Sequence, residues 1–293
     1  MRKVGFVGLG AMGTPMTRRL VEAGYEVVGF DVADEARRRV RAFGVRSVER
    51  VEQSGDDVDL VVLMLPDSNV VESVLSDAGL LASLSNETVI VDMSSSEPLR
   101  TRELAARLNE RGIRMIDAPV SGGVAGATNG KLTVMVGGRR EEFDELRPFL
   151  EVFGKVVHAG PIGSGHAVKA LNNLLSATHL LITSEAILAG ERFGLDPAVM
   201  LEIFNGSSGR SGSTENKWPN FILPGTFNSG FGLRLMLKDM RIAVELAAQF
   251  DVPCELGDEA VSLWSAAATA LTPGADHTEI ARWLRDREQD RAG

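Results

Sequence analysis

Lys169 and Asn173 stand four positions apart in GSGHAVKALNN, Gly163–Asn173, where two glycines open a long apolar segment. On a helix that spacing puts both side chains on one face, one turn apart. Val168, Leu171, Leu174 and Leu175 flank the lysine, and a lysine half-sunk among apolar groups can exchange a proton near neutral pH. The bland alternative for such a pair is solvated helix surface. Three further stretches bear on the choice. Gly8-Leu9-Gly10-Ala11-Met12-Gly13 is a G-x-G-x-x-G run between the apolar Lys3–Gly8 and an amphipathic segment with Met12, Met16, Leu20 and Val21. There Gly8 makes a tight turn, Gly10 lets the backbone approach a pyrophosphate, and Gly13 lets helix pack on strand. Asp31 closes the next apolar run, Tyr25–Phe30, 21 positions beyond Gly10. A carboxylate there grips the adenosine ribose hydroxyls and repels a 2′-phosphate, which favours NAD, with NADP as the alternative. Arg37, Arg38 and Arg39 are the opposing signal; one or two turns into the next helix, they read as its solvated face rather than as neighbours of Asp31. Ser121-Gly122-Gly123 follows a strand and reads either as an anion-binding turn of backbone N–H groups or as a plain turn.

A dinucleotide that carries hydride to or from an alcohol carbon needs a protein group to handle the proton on oxygen. The chain has no Ser–Tyr–Lys arrangement and no paired histidines. His158, His166, His179 and His277 show no HxH or HxxxH spacing, and Cys254 is the single cysteine. No metal site and no disulfide are expected, as in a reducing cytosol. By elimination Lys169 is the general acid/base, Asn173 below it orients substrate or amine, and Ser121–Gly123 holds a substrate carboxylate. Gripping a small acid at both ends fixes its carbinol carbon against the nicotinamide.

The elements that must position these residues fall into two halves. Asp59–Leu65 and Thr88–Met93 are unbroken apolar runs of the kind buried on both faces of a parallel sheet. Ile113–Ala118, Lys131–Val136 and Phe153–His158 are further strand candidates, and Glu141–Leu150 is an amphipathic helix. Ligands of such sheets bind outside the carboxyl ends of the strands. The loops there are Gly8–Gly13, Leu65–Asn69, Ser94–Ser96 and Ser121–Gly123, which are expected to converge. From Gly165 strand signals stop. His166–Phe193 reads as one helix of roughly 42 Å, ending at Gly194, and helices follow at Leu235–Phe250, Leu256–Ala270 and Thr278–Glu288. Ser207–Ser213 reads as a polar, flexible loop carrying Arg210. The expected architecture is a Rossmann-type α/β domain with a mostly parallel sheet, residues 1–162. A long interdomain helix joins it to an all-α substrate and oligomerisation domain, residues 163–293.

A length of 293 residues suits two domains. A net charge of −9 without a basic stripe argues against nucleic acid and requires a local positive pocket for a small anionic substrate. No apolar run approaches the roughly 20 residues of a membrane span. Met1-Arg-Lys leads straight into a strand pattern, so no signal peptide is expected and the protein is placed in the cytoplasm.

The chain resembles the β-hydroxyacid dehydrogenases, the family of 3-hydroxyisobutyrate dehydrogenase and tartronate semialdehyde reductase. Four motifs carry the resemblance in order: GLGAMGTPM at Gly8–Met16, DAPVSGG at Asp117–Gly123, GxGxxxKxxxN at Gly163–Asn173 and KDMRIA at Lys238–Ala243. It implies that Lys169 is the catalytic acid/base, that Asn173 contacts substrate, and that Ser121, Gly122 and Gly123 bind its carboxylate. It further implies that Gly8, Leu9, Gly10, Ala11, Met12, Gly13, Asp31, Leu65 and Pro66 meet the cofactor, and that Ser95 replaces a threonine the family often carries there. Phe231 would flank the nicotinamide and Lys238 would contact the cofactor. The resemblance points to a homodimer or homotetramer that interconverts a small β-hydroxyacid and its semialdehyde. SSGRS at Ser207–Ser211 matches a loop of 3-hydroxyisobutyrate dehydrogenases, but a tryptophan common just after it is Gly212 here. The rival readings are an imine reductase, against which Lys169 with Asn173 speaks, and a non-catalytic dinucleotide-binding scaffold. A 6-phosphogluconate dehydrogenase fits less well, because the chain is short and lacks an arginine cluster for a sugar phosphate.

Overall fold

The computed structural model describes residues 3–76 and 78–292, with the side chains of 288–292 set aside. The reading of a chain start without signal peptide falls partly on residues 1 and 2, outside the described ones. The chain divides into two compact units, Met1–Lys169 and Ala170–Gly293.

The first unit is a nine-stranded sheet. Its strands are β1 (Lys3–Val7), β2 (Glu26–Phe30), β3 (Arg46–Ser47), β4 (Leu60–Leu63), β5 (Val89–Asp92), β6 (Arg114–Asp117), β7 (Val120–Ser121), β8 (Leu132–Gly137) and β9 (Gly154–Gly160). The spatial order 3-2-1-4-5-6 is parallel throughout; β8 then runs antiparallel to β6 and β7 and parallel to β9. This is the doubly wound order that presents strand ends to a dinucleotide. The apolar runs do what their composition requires: in β4, Leu60 and Val62 enter one core layer while Val61 and Leu63 enter the other. A two-residue side-chain period with both faces covered leaves no place for polar residues. The covering helices are α1 (Gly13–Glu22), α2 (Asp34–Arg41), α3 (Ser68–Val74), α4 (Pro98–Glu110), α5 (Gly123–Asn129) and α6 (Arg140–Leu150).

Helix α7 (Ser164–Phe193) starts in the first unit and runs into the second, ending at Gly194, whose φ of 97° suits a C′ glycine. The second unit continues with α8 (Pro197–Asn205), a ten-residue π-helix (Ser213–Ile222), α9 (Leu233–Gln249), α10 (Glu255–Ala270) and α11 (Ile280–Ala292). Its core is built around Trp218, Trp264, Leu180, Leu237, Met240 and Ile280. One expectation needs correction. The Ser207–Ser213 segment is tied down rather than flexible, because the Arg210 guanidinium binds Glu215 at 2.7 Å and Ser211 and Thr214 exchange hydrogen bonds. The π-helix begins at Ser213, inside the segment read as a loop.

Candidate active site

The glycine-rich turn after β1 has the shape a pyrophosphate needs. A Cβ on Gly8, whose φ is 100°, would sit 2.2 Å from the Met64 carbonyl oxygen, and one on Gly13 would sit 1.9 Å from that of Gly8. Both positions exclude a side chain, whereas a Cβ on Gly10 would meet nothing within 4 Å. The loop is therefore closed against the protein at its ends and open at Gly10, and Gly10 and Ala11 are exposed. These residues fit a dinucleotide phosphate. Leu9 departs from the expectation in one respect: its side chain is wholly buried in the core.

Asp31, at the end of β2, accepts the Leu9 N–H at 2.7 Å and the Ala33 N–H at 2.8 Å. It thus ties the end of β2 to the glycine loop. Arg37 is closer to it than sequence spacing suggests. Helix α2 begins at Asp34, so Arg37 reaches back and donates to the Asp31 backbone carbonyl at 2.6 Å. Arg38 and Arg39 pair with Asp34 and Glu35 on their own helix.

Leu65 follows β4, which pairs with β1, and Ser95 follows β5, the next strand in the sheet. The Leu65 N–H donates to the Ser94 hydroxyl at 2.9 Å, which locks these two loops together. Ser121 ends β7 opposite Thr133, and Gly122 and Gly123 follow with φ of 129° and 62°, a reversal that side chains would resist. Gly163 and His166 donate their backbone N–H groups to the two oxygens of Asp117, at 2.6 and 2.8 Å. That carboxylate takes up orphan donors at the start of α7. Three residues on, Lys169 is only 7% exposed.

In the second unit Asn173, 4% exposed, donates its amide to Asp239 at 2.6 Å. The Lys238 ammonium lies 3.2 Å from the other Asp239 oxygen. Because a carboxylate only accepts, this fixes the orientation of the Asn173 amide. Phe231 is held by a cluster that sequence reasoning missed. Its carbonyl accepts the His277 backbone N–H at 2.8 Å and lies 3.1 Å from His277 Nδ1, and the two rings meet edge to face. Asp276 accepts from Ser229, Gly230, Phe231 and Thr278. Burial pushes the Asp276 carboxyl up, but the Thr278 and Ser229 bonds and the adjacent His277 leave it below its ordinary value. Burial, aided by the Lys217 charge, pushes His277 down to about 4, and burial likewise lowers the Lys217 ammonium. The Asp-His-Thr-Glu run at Asp276–Glu279 is a capping pattern, the one signal that could have marked it. Among the described residues no group of three or more His, Cys, Asp or Glu is placed to hold a metal ion.

A family model described as the NAD binding domain of 6-phosphogluconate dehydrogenase matches residues 3–163. A second, described as NAD-binding of NADP-dependent 3-hydroxyisobutyrate dehydrogenase, matches residues 163–284. The 2-(hydroxymethyl)glutarate dehydrogenase of Eubacterium barkeri is 41% identical over 253 residues, covering 86% of this chain and 84% of that one.

The chain belongs to the β-hydroxyacid dehydrogenase family.

Among solved structures, Mycobacterium tuberculosis 3-hydroxyisobutyrate dehydrogenase with L-serine has a TM-score of 0.90 at 31% identity, covering 97% of this chain and 99% of its own. A Streptomyces aurantiacus imine reductase, at a TM-score of 0.64 and 23% identity over 97% and 99% of the two chains, shares the fold alone. The protein is thus an NAD(P)-dependent oxidoreductase of the β-hydroxyacid dehydrogenase type. Among the described residues no helix is long and apolar enough to cross a membrane.

Proposed function

We propose that the protein oxidises the alcohol of a small β-hydroxyacid to the semialdehyde, and runs in reverse, with Lys169 as general acid/base. The observation that carries this reading is the placement of Lys169. It is a buried lysine whose helix start is pinned six and three residues upstream by hydrogen bonds from Gly163 and His166 to Asp117. When bound, the nicotinamide accepts the hydride in oxidation and supplies it in reduction. In oxidation neutral Lys169 takes the hydroxyl proton; in reduction its ammonium returns a proton to the aldehyde oxygen. Asn173, its amide oriented by Asp239, presents a fixed polar group one helical turn from the lysine. Ser121, Gly122 and Gly123 receive the carboxylate through the Ser121 hydroxyl and backbone N–H groups turned by the two positive-φ glycines.

For the cofactor, Gly8, Leu9, Gly10, Ala11, Met12 and Gly13 serve the phosphates, Leu9 through its backbone. Asp31 takes the ribose, Leu65, Pro66 and Ser95 line the dinucleotide, and Phe231 and Lys238 complete its binding. NAD is preferred, since Asp31 repels a 2′-phosphate and all three nearby arginines already have partners. Residues 1–162 form the dinucleotide-binding domain and 163–293 the helical substrate and oligomerisation domain, in a cytoplasmic enzyme. Leu171, Leu175, Ile182 and Phe193 leave one side of α7 apolar and exposed, which supports a homodimer or homotetramer. Relatives are named for 2-(hydroxymethyl)glutarate and L-serine, so the substrate belongs among small carboxylates with a nearby alcohol.

The deciding assay is a panel of such acids, 3-hydroxyisobutyrate, L-serine and 2-(hydroxymethyl)glutarate included, with NAD and with NADP, alongside a cyclic imine. Turnover of at least one acid, faster with NAD, is expected. Preferential reduction of the imine, or NADH binding without any turnover, contradicts the proposal.

A further inference from the structure

His166 is the most enclosed titratable group that the mechanism above does not use. Its side chain is fully buried, and so are those of Asp92 and Asp117, whose carboxylates each lie 3.8 Å from one ring nitrogen. Nε2 of the ring lies 3.1 Å from the Ser94 carbonyl oxygen, and Nδ1 lies 2.9 Å from the Thr101 hydroxyl. A carbonyl only accepts, so Nε2 carries a hydrogen and donates it to Ser94. Ser94 is itself fixed on both sides: Asp92 accepts its N–H at 3.0 Å, and its hydroxyl receives the Leu65 N–H.

These bonds form one continuous chain. It runs from Leu65, through the Ser94 hydroxyl and carbonyl, to the His166 ring. From the His166 backbone it passes to Asp117 and Gly163, at the start of α7. Lys169 follows His166 by three residues, one turn along the same helix face. The turn is pressed flat as well: a Cβ on Gly165 would sit 2.2 Å from the Met135 carbonyl and 2.8 Å from Asp117 Oδ2. Burial obliges both ring nitrogens to find partners, and the partner Nε2 takes is the backbone of the loop between β5 and α4, which ties that loop to the Lys169 turn. That loop and the Leu65 turn are the ones proposed above to line the cofactor.

We infer that His166 is a positioning residue. Through its Nε2 bond to the Ser94 carbonyl it sets the Lys169 turn in register with the loops that line the cofactor. The inference rests on Lys169 being the acid/base.

Two amides divide the ring's functions: glutamine places a donor near Nε2, and asparagine places one near Nδ1. His166→Gln should therefore keep the Ser94 link, and His166→Asn should lose it. For folded variants matched by circular dichroism, kcat of His166→Asn and His166→Ala is expected to fall about 10- to 100-fold, the scale of a misplacement near 1 Å. KM for the hydroxyacid and the NADH dissociation constant should stay within about threefold, and His166→Gln should regain most of kcat. Equal losses in all three variants would mean a merely structural role and overturn the inference, as would near-wild-type kcat in His166→Asn. Lys169→Ala, assayed in parallel, separates the two levels. If it retains turnover, the acid/base reading fails whatever His166 does; if it is inactive while His166→Asn is not, only the positioning inference fails.

Discussion

At the residue scale, buried polar groups are held in place by backbone atoms far away in sequence. Asp117 binds N–H groups 46 and 49 residues downstream, and His166 binds a carbonyl 72 residues upstream. In the proposed function Asp31 decides the cofactor. Removing its charge in Asp31→Ala should lower kcat/KM for NAD at least about tenfold and raise relative use of NADP, checked by paired kinetics. The variant removes the proposed charge-assisted bond to ribose together with the Leu9 N–H bond that holds the glycine loop. His277 supplies a test in pH. Its folded value lies near 4, below the 6.5 of an exposed histidine, so between those values the unfolded chain takes up a proton that the folded one does not. Stability from this group is fully present above about pH 6.5 and lost as pH falls toward 4, by about 3 kcal/mol in total. Asp276, with a lowered carboxyl, acts only below 3.8. Denaturant unfolding from pH 7 to 4.5 should therefore show a steeper loss for the wild type than for His277→Asn; equal slopes would contradict it.

At the element scale, what could be read from the chain depended on how much apolar patterning each element carries. Leu60–Leu63 and Val89–Asp92 were legible because both faces of a central parallel strand are buried. The two-residue strands Arg46–Ser47 and Val120–Ser121 were not, since they exist through pairing with neighbours and have no periodicity of their own. Helix Pro197–Asn205 carried its signals, an Asp196 cap and proline in the first turn, but followed so closely on α7 that it was passed over. The π-helix at Ser213–Ile222 has no pattern that distinguishes it from an α-helix or loop, and Pro219 inside it reads as a breaker. The glycine loops were readable as motifs, yet only the structure separates glycines that packing demands from those that a ligand demands. Gly165→Ala should cost about 1–3 kcal/mol by overpacking against Met135. Gly10→Ala, with nothing within 4 Å of the added Cβ, should leave the melting temperature unchanged. It should still weaken NADH binding about tenfold, since its methyl group intrudes where the pyrophosphate approaches. Calorimetry and a fluorescence titration measure both; an unchanged dissociation constant for Gly10→Ala would contradict the phosphate assignment.

At the scale of the whole molecule, the family sets the reaction type, and an exposed apolar helix face supports the proposed assembly. Leu175, Ile182 and Phe193 are 60%, 56% and 84% exposed on one helix, an apolar face that a second copy would remove from water. Light scattering on the purified protein should return a dimer or tetramer, and Leu175→Glu with Ile182→Glu should dissociate it; a monomeric wild type would contradict that. The central claim is narrower and more directly tested: Lys169 moves the substrate proton. Lys169→Ala should lower kcat on the best hydroxyacid at least about 100-fold, the low end for general acid–base catalysis, while NADH binds as tightly as before. Turnover near the wild-type rate in that variant would contradict the account.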